Sequence, residues 1–211
     1  MRNFEYVTKR EYLPVKKDLI KLITLVKKEV SDYFDFNFSF IGSVKTNTIT
    51  REINSNIGYD FDVNLRVNDE YENFSAKEIK KILMNGFNKY NYLFSYDYCE
   101  DSKRVITIKV KDRNNSRILH SCDFAIVYDC SDGRQQYIRF NKNQNSYSWE
   151  YQPKGFYQLE ERKELIKQAG LWQEVRDLYL YKKNNNVDIN KKSRSIFAET
   201  INEIYKQNFE E

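Results

Sequence analysis

The residues from Tyr59 to Val67 constrain the fold of this 211-residue chain more than any other segment. Apolar and polar residues alternate strictly here, in the order YDFDVNLRV. Because successive side chains on a β-strand point to opposite faces, the alternation predicts a strand with one apolar and one polar face. Asp60 and Asp62 would then lie side by side on the polar face. Two unpaired carboxylates in this arrangement repel each other, and a divalent cation relieves the repulsion. The alternative is a solvated strand face.

Helical and strand patterns alternate around this segment. Apolar spacing predicts helices over 16–30, 75–90, 159–181 and 193–208, and further strands over 37–41, 105–110, 118–128 and 136–140. Residues 42–58 are predicted to form a long polar turn with room for a short helix. Ser75, with Glu78 three residues later, predicts a capping box. The order of elements predicts an α+β (α/β-like) fold, with a mixed β-sheet core over 1–145 and a helical region over 146–211 packed on the core.

The composition excludes several classes of protein. Glycine and proline are scarce, at 6 and 2 residues, which argues against a disordered chain and against an all-β sandwich. The 3 cysteines form no CxxC pair, so a disulfide framework or a zinc site is not expected. The N-terminus lacks an apolar signal core, and no apolar run approaches the roughly 20 residues of a membrane span. These features predict a soluble cytoplasmic protein with no membrane partner.

Two other positions suggest chemistry. Asp123 stands inside an apolar segment, where a lone buried carboxylate costs several kcal/mol unless it is paired or binds a metal. An exposed strand end is the alternative. Gly42-Ser43 follow the predicted strand 37–41, so backbone N–H groups and a hydroxyl there could hold phosphate oxygens, or the pair could form only a turn.

The remaining candidates are weaker. His120 is the only histidine, which excludes multi-histidine metal sites, and its neighbours favour an ordinary strand residue over a catalyst. Five aromatic residues could stack on a nucleic-acid base or pack between elements: Tyr147, Trp149, Tyr151, Phe156 and Tyr157.

In combination, these features resemble a known family. The segment IGSVKTNTITREINSNIGYDFDVNL, followed by a later strand with a third aspartate, resembles the polymerase-β-like nucleotidyltransferase superfamily. Within it, the nearest branch holds the oligoadenylate synthetases and the cyclic GMP-AMP and cyclic-dinucleotide synthases. The resemblance covers roughly residues 36–128. It implies a mixed-sheet nucleotidyltransferase core in which Asp60, Asp62 and Asp123 are catalytic and hold two Mg²⁺ or Mn²⁺ ions.

The resemblance also implies a reaction and a set of nucleotide contacts. A nucleoside monophosphate would pass from an NTP donor to an acceptor hydroxyl, with release of pyrophosphate. The acceptor stays open between a nucleotide, RNA, a small molecule and a protein. A non-catalytic relative that binds nucleotide or RNA is the alternative. The expected nucleotide contacts are Gly42, Ser43, Lys45, Thr48, Lys182 (or Lys183) and Ser193 (or Ser195), with added charge from Arg51.

Overall fold

The computed structural model describes residues 2–69, 73–188 and 190–210. It divides into two compact units, residues 7–152 and residues 1–6 with 153–211. The elements in chain order are β1 (Phe4–Tyr6), α1 (Lys9–Val30), β2 (Asp35–Ile41), α2 (Gly42–Thr46), β3 (Thr50–Glu52), β4 (Ile57–Asn68), α3 (Ala76–Tyr90), a 3-10 turn (Asn91–Phe94), β5 (Glu100–Asp101), β6 (Ile106–Asp112), β7 (Arg117–Asp129), β8 (Gln135–Asn141), β9 (Ser146–Tyr151), α4 (Lys154–Gln168), α5 (Trp172–Asn185) and α6 (Ser193–Phe209).

The larger unit is built on a seven-stranded mixed sheet. Its strand order is β2-β4-β7-β6-β5, with β8 paired to the end of β7 and β9 paired to β8. The central strands β4 and β7 run parallel, and the other neighbouring strands run antiparallel. The expected α+β class with a mixed sheet and C-terminal helices is therefore confirmed.

One face of this sheet forms the hydrophobic core of the larger unit. Phe61 on β4 and Phe124 on β7 are fully buried there. The ring of Phe87, from α3, stacks on Phe124 with 4.2 Å between the ring centroids. Leu22 and Val26 of α1 belong to the same buried cluster. Each such side chain contributes roughly 1.5–3 kcal/mol on burial, so α1 and α3 are held firmly against this face. The aspartates of β4 and β7 alternate with these core residues and therefore point to the opposite face.

Helix α1 begins earlier than the sequence pattern predicts. The expected start near residue 16 is wrong, because Thr8 caps the helix and Glu11 completes a capping box, with Glu11 Oε2 accepting from the Thr8 N–H at 3.0 Å. Pro14 lies inside the helix, after its first turn. The capping box expected at Ser75 and Glu78, by contrast, is confirmed.

The smaller unit contains α4, α5 and α6 around buried Ile166, Val175 and Ile201. The single helix expected over 159–181 is wrong, since the chain turns between α4 and α5. Gly170 adopts φ 75°, and the Leu171 N–H donates to the Ile166 carbonyl at 3.1 Å, which caps the end of α4.

The N-terminal strand β1 is part of this smaller unit and contacts α5. The Asn184 side chain bonds the backbone of Phe4 in both directions, accepting from its N–H at 2.6 Å and donating to its carbonyl at 3.2 Å. Cations of α5 lie over two rings of β1, Lys183 over Phe4 and Arg176 over Tyr6.

The sheet unit ends later than the boundary suggested at residue 145. Strand β9 pairs with β8 from Asn141↔Ser146 to Gln136↔Tyr151, so it belongs to the sheet. Within the residues that the structure describes, no helix combines the length and apolar character needed to cross a membrane.

Candidate active site

The register of the central strands brings the predicted acids onto one face of the sheet. In the parallel pair β4–β7, Asp62 lies opposite Asp123 and Asp60 lies opposite Ser121. Residues that are paired across a ladder share a face, and adjacent strands lie about 4.8 Å apart. Asp60, Asp62 and Asp123 therefore share the face turned away from α1 and α3, hereafter the acid face. Strand β6 adds Thr107 opposite Asp123.

Two hydroxyl groups donate hydrogen bonds to acids of this face, one to Asp60 and one to Asp123. Ser121 Oγ donates to Asp60 Oδ1, and Thr107 Oγ1 donates to Asp123 Oδ1 at 2.6 Å. Burial raises the pKa of the Asp123 carboxyl, the Thr107 hydrogen bond opposes the rise, and the negative charge of Asp60 adds to it. The pKa of the buried Cys122 thiol is raised by burial and then by the charges of Asp123, Asp62 and Asp60. The negative charges of all three acids therefore affect the same thiol, that of Cys122.

The turn after β2 adjoins Asp62. Gly42 adopts φ 58°, a conformation that L side chains rarely adopt, and a Cβ built there would contact the Asp62 carboxylate. Ser43 follows in the short helix α2, and Lys45 is exposed in its last turn. Thr48 is 2% exposed, with its hydroxyl 2.7 Å from that of Thr46, so its side chain holds the turn together.

If the acid face binds a metal ion with a nucleotide, Gly42→Ala should weaken that binding. The new Cβ would push the Asp62 carboxylate aside, and the positive φ adds roughly 1–2 kcal/mol of backbone strain. Gly170→Ala is the matched control, because Gly170 also has positive φ, at 75°, but its Cβ would meet nothing within 4 Å. Calorimetry measures the binding of Mg²⁺ together with a non-hydrolysable ATP analogue. This binding should be weaker than in the parent only for Gly42→Ala. Equal binding by the two variants would contradict the contact with Asp62.

The other predicted nucleotide contacts differ in their exposure and in their ion pairs. In the smaller unit, Lys182 Nζ pairs with Glu203 at 2.5 Å, and Ser193 is exposed at the start of α6. The alternative Lys183 is 4% exposed. In the larger unit, Arg51 Nη1 pairs with Glu11 at 2.6 Å.

Three of the weaker candidates have packing partners within the sheet unit. His120 stacks on Tyr59 and lies 3.1 Å from the Tyr96 hydroxyl, and burial lowers its pKa to about 4. Tyr147 and Trp149 pack against the core of the sheet unit. These residues fit the structural alternatives that the sequence left open.

The carboxylate oxygens of the acid face are the type of ligand that a hard divalent cation prefers. Such cations take carboxylate oxygens, and the three acids start from neighbouring backbone positions on two adjacent strands. As the side chains stand, no group of three His, Cys, Asp or Glu residues in the described ranges converges closely enough to hold an ion.

The sequence reading missed Thr107 and Ser121. Both lie on strands, both are 8% exposed, and both contact a carboxylate of the acid face. A signal was present, since Ser121 stands two residues before Asp123 and so shares its face. Their carboxylate partners depend on the pairing of distant strands, which the pattern of one strand does not contain.

The fold is similar to that of solved structures that include a cyclic dinucleotide synthase. The resemblance predicted from the sequence is thereby confirmed for the fold. No protein-family model matches the chain, and no curated protein sequence matches it.

Three solved structures illustrate the similarity. Vibrio cholerae DncV in its GTP-bound form has a TM-score of 0.59 and 14% identity, over 93% of this chain and 52% of that chain. The cyclic dinucleotide synthase CdnE of Elizabethkingia meningoseptica, with GTP and Apcpp, has a TM-score of 0.54 and 15% identity, over 89% and 68%. CdnC of E. coli MS115-1 with ATP has a TM-score of 0.50 and 16% identity, over 96% and 62%. The chain therefore spans about half the length of DncV.

Proposed function

We propose that this chain is a metal-dependent nucleotidyltransferase that transfers a nucleoside monophosphate from an NTP to an acceptor hydroxyl. The observation that carries the proposal is the pairing of Asp62 with Asp123, with Asp60 on the same face and Gly42 beside Asp62, on a nucleotidyltransferase fold. Residues 7–152 would form the catalytic core. The solved structures with GTP or ATP support an NTP as the donor.

The residues of the acid face have separate roles in this proposal. Asp60, Asp62 and Asp123 would hold divalent cations, Mg²⁺ or Mn²⁺, with two as the expected number. Such ions supply Lewis-acid activation of the acceptor hydroxyl and neutralise the charge of the leaving pyrophosphate. The Ser43 hydroxyl and the neighbouring backbone N–H groups would bind phosphate oxygens of the donor. Lys45 would add positive charge near the triphosphate. Lys182 and Ser193 remain proposed contacts of the smaller unit.

A non-catalytic nucleotide binder is the second candidate. The observation that favours it is that the three acids do not converge on a common point within the described residues. The two candidates differ in one respect: only the enzyme consumes the NTP.

The decisive experiment is incubation of the full chain with each labelled NTP, Mg²⁺ or Mn²⁺, and a panel of acceptors. Nucleotides, RNA, small molecules and proteins should be included among the acceptors. The proposal expects release of pyrophosphate and a labelled product, whose analysis gives the acceptor and separates cyclic from linear oligonucleotides. Binding without turnover across the whole panel would favour the second candidate.

Metal and nucleotide should stabilise the protein together. At a free ligand concentration of about 100 times Kd, a bound ligand raises the free energy of unfolding by roughly 2.7 kcal/mol. A non-hydrolysable ATP analogue with Mg²⁺ should therefore raise the Tm, because Asp60, Asp62 and Asp123 would hold the cation and the cation would offset the charge of the triphosphate. The same analogue in EDTA should raise it far less. Equal shifts in the two conditions, measured by differential scanning calorimetry, would contradict a carboxylate–metal site.

A further inference from the structure

Two arginines and a tyrosine extend the acid face beyond the aspartates. Tyr137 on β8 lies opposite Val127 on β7, and Val127 follows Asp123 by four residues, so these three side chains share one face. Ile138 belongs to the core on the other face, which places the next residue, Arg139, on the acid face as well. At about 3.3 Å per residue, Val127 lies roughly 13 Å from Asp123 along the strand. The cluster and the acids therefore belong to one continuous surface of the sheet.

The guanidinium of Arg104 lies over the ring of Tyr137. Its central carbon is 4.8 Å from the ring centroid, within the range of a cation–π contact. The Arg104 side chain is exposed, and it pairs with no carboxylate among residues 2–69, 73–188 and 190–210. A guanidinium carries five N–H donors in a fixed plane, a geometry that matches the oxygens of a phosphate group. Arg104 therefore has donors to offer to an added anion.

The turn that carries Arg104 is held in place from two directions. The Phe140 N–H of β8 donates to the Lys103 carbonyl at 2.8 Å. From α3, the Lys80 ammonium donates to the Ser102 carbonyl at 2.8 Å, and Lys80 is only 1% exposed. Breaking the contacts of a buried charge is strongly destabilising, so this turn is firmly anchored. The backbone of Arg104 is thus positioned before any ligand arrives, as a binding site requires.

The residues beneath Arg104 are fixed in a similar way. Tyr137 is 4% exposed, and its hydroxyl donates to Glu150 Oε2 at 3.1 Å. Arg139 Nη1 donates to both carboxylate oxygens of Glu150, at 2.8 and 3.0 Å. Arg139 therefore balances the charge of Glu150, while the charge of Arg104 has no such balance. The cluster carries an excess of positive charge, which favours an anionic ligand.

The strand order indicates which substrate would reach this cluster. Strand β8 pairs with the edge of β7 opposite to β4, and β2 lies beyond β4. The proposed donor contacts Ser43 and Lys45 follow β2 in helix α2. The phosphates of the NTP donor would thus lie on one side of Asp123, and Arg104 lies on the other side. A phosphate bound by Arg104 therefore fits the acceptor better than the donor.

We propose that Arg104, supported by the ring of Tyr137, binds a phosphate group of the acceptor at a distance from the reacting hydroxyl. The acceptor would then be a phosphate-bearing nucleoside, either a free nucleotide or the end of an RNA, and not an unphosphorylated small molecule. The inference rests on the proposed function, since it assumes that an acceptor binds on the acid face. It concerns binding alone and involves no metal ion.

The test is calorimetric binding to the full chain in EDTA. The probes are the four nucleoside 5′-monophosphates and the matching nucleosides, with a short RNA carrying or lacking a 5′-phosphate as a second arm. At least one phosphorylated probe should bind more tightly than its unphosphorylated counterpart. Arg104→Gln should raise the Kd of that probe by about 10- to 100-fold, the range for a lost hydrogen bond to a charged group. The Kd of the unphosphorylated counterpart should not change.

Arg113→Gln is the matched control for Arg104→Gln. Arg113 is also exposed, but it lies in the turn at the other end of β6 and pairs with Asp97 at 3.0 Å. This variant should bind every probe as the parent does. In the transfer assay, Arg104→Gln should raise the KM of the phosphorylated acceptor and leave the KM of the NTP donor unchanged.

The outcomes separate this inference from the proposed function. A parent that binds phosphorylated and unphosphorylated probes equally well overturns the phosphate site. Phosphate-dependent binding that is unchanged in Arg104→Gln overturns the role of Arg104, and an equal loss in Arg113→Gln does so too. If binding depends on both the phosphate and Arg104 but no acceptor yields a product, the phosphate site stands and the proposed enzyme does not. Transfer only to acceptors that lack a phosphate overturns this inference and leaves the proposed function intact.

Discussion

Asp123→Asn should abolish nucleotidyl transfer while leaving Mg²⁺–NTP binding largely intact. The substitution keeps the shape of the side chain and removes one negative charge from the acid face. In the proposed reaction, Asp123 would mainly hold the cation that activates the acceptor hydroxyl. Removing its charge should therefore reduce stabilisation of the transition state more than binding of the NTP. Lewis-acid stabilisation of this kind is worth several kcal/mol, which corresponds to a rate loss of about 10³-fold or more. Transfer is measured with the labelled NTP, and binding by calorimetry with a non-hydrolysable analogue.

Asp60→Asn and Asp62→Asn are the companion variants for Asp123→Asn. Each should reduce both transfer and Mg²⁺–NTP binding, because these acids are proposed to carry the cation that travels with the triphosphate. If Asp123→Asn transfers as well as the parent, the third acid has been misassigned. A non-catalytic binder predicts a different pattern, in which the parent shows no transfer and Asp123→Asn binds nucleotide as well as the parent or better.

Gly58→Ala should cause the largest loss of stability among single-methyl substitutions considered for this chain. A Cβ at Gly58 would overlap the backbone carbonyl of Leu119 and approach the carbonyl oxygen of Ile118 to 2.8 Å. Backbone atoms of a paired strand cannot move aside cheaply, so the start of the β4–β7 ladder must separate. Overpacking of this kind costs about 3 kcal/mol. For a chain of this size, that corresponds to a decrease in Tm of roughly 6–12 °C.

Gly155→Ala is the control for Gly58→Ala. Gly155 lies in the first turn of α4, and a Cβ there would meet nothing within 4 Å. The change should alter the free energy of unfolding by about 1 kcal/mol or less, and in the stabilising direction, because alanine restricts the unfolded chain. Calorimetric unfolding of both variants checks the comparison. A Gly58→Ala protein as stable as the parent would show that the two strands separate there without penalty.

Local patterns predicted the longer helices and the main strands but not β1, β3, β5 or β9, and non-local pairing decided the details of the site. The alternation from Tyr59 to Val67 lies within a single chain segment, so β4 and its two faces were predicted correctly. The opposition of Asp62 and Asp123 depends on the register between strands 61 residues apart in sequence, and that register follows from core packing on the other face. The bonds of Ser121 and Thr107 to the acids follow from the same register, which is why they were not predicted.

The two errors in the helices have local causes. The start of α1 was placed too late because the apolar spacing is clearest after residue 16, whereas the capping box of Thr8 and Glu11 sets the true start. The break at Gly170 was missed because apolar residues continue on both sides of it. A lone glycine in a helical pattern is compatible with either an interior position or a cap, and here its positive φ makes it a cap.

The anchoring of β1 on α5 has a consequence for the order in which the chain folds during synthesis. Residues 1–6 are made before the sheet unit, whereas their partners in the smaller unit, such as Asn184, are made after it. The internal contacts of residues 7–152 can all form before α5 exists. The sheet unit can therefore fold while the ribosome is still adding the helices, whereas the bonds of β1 to α5 form only after α5 is made. This long separation in sequence predicts slow closure of the helical unit relative to the sheet unit.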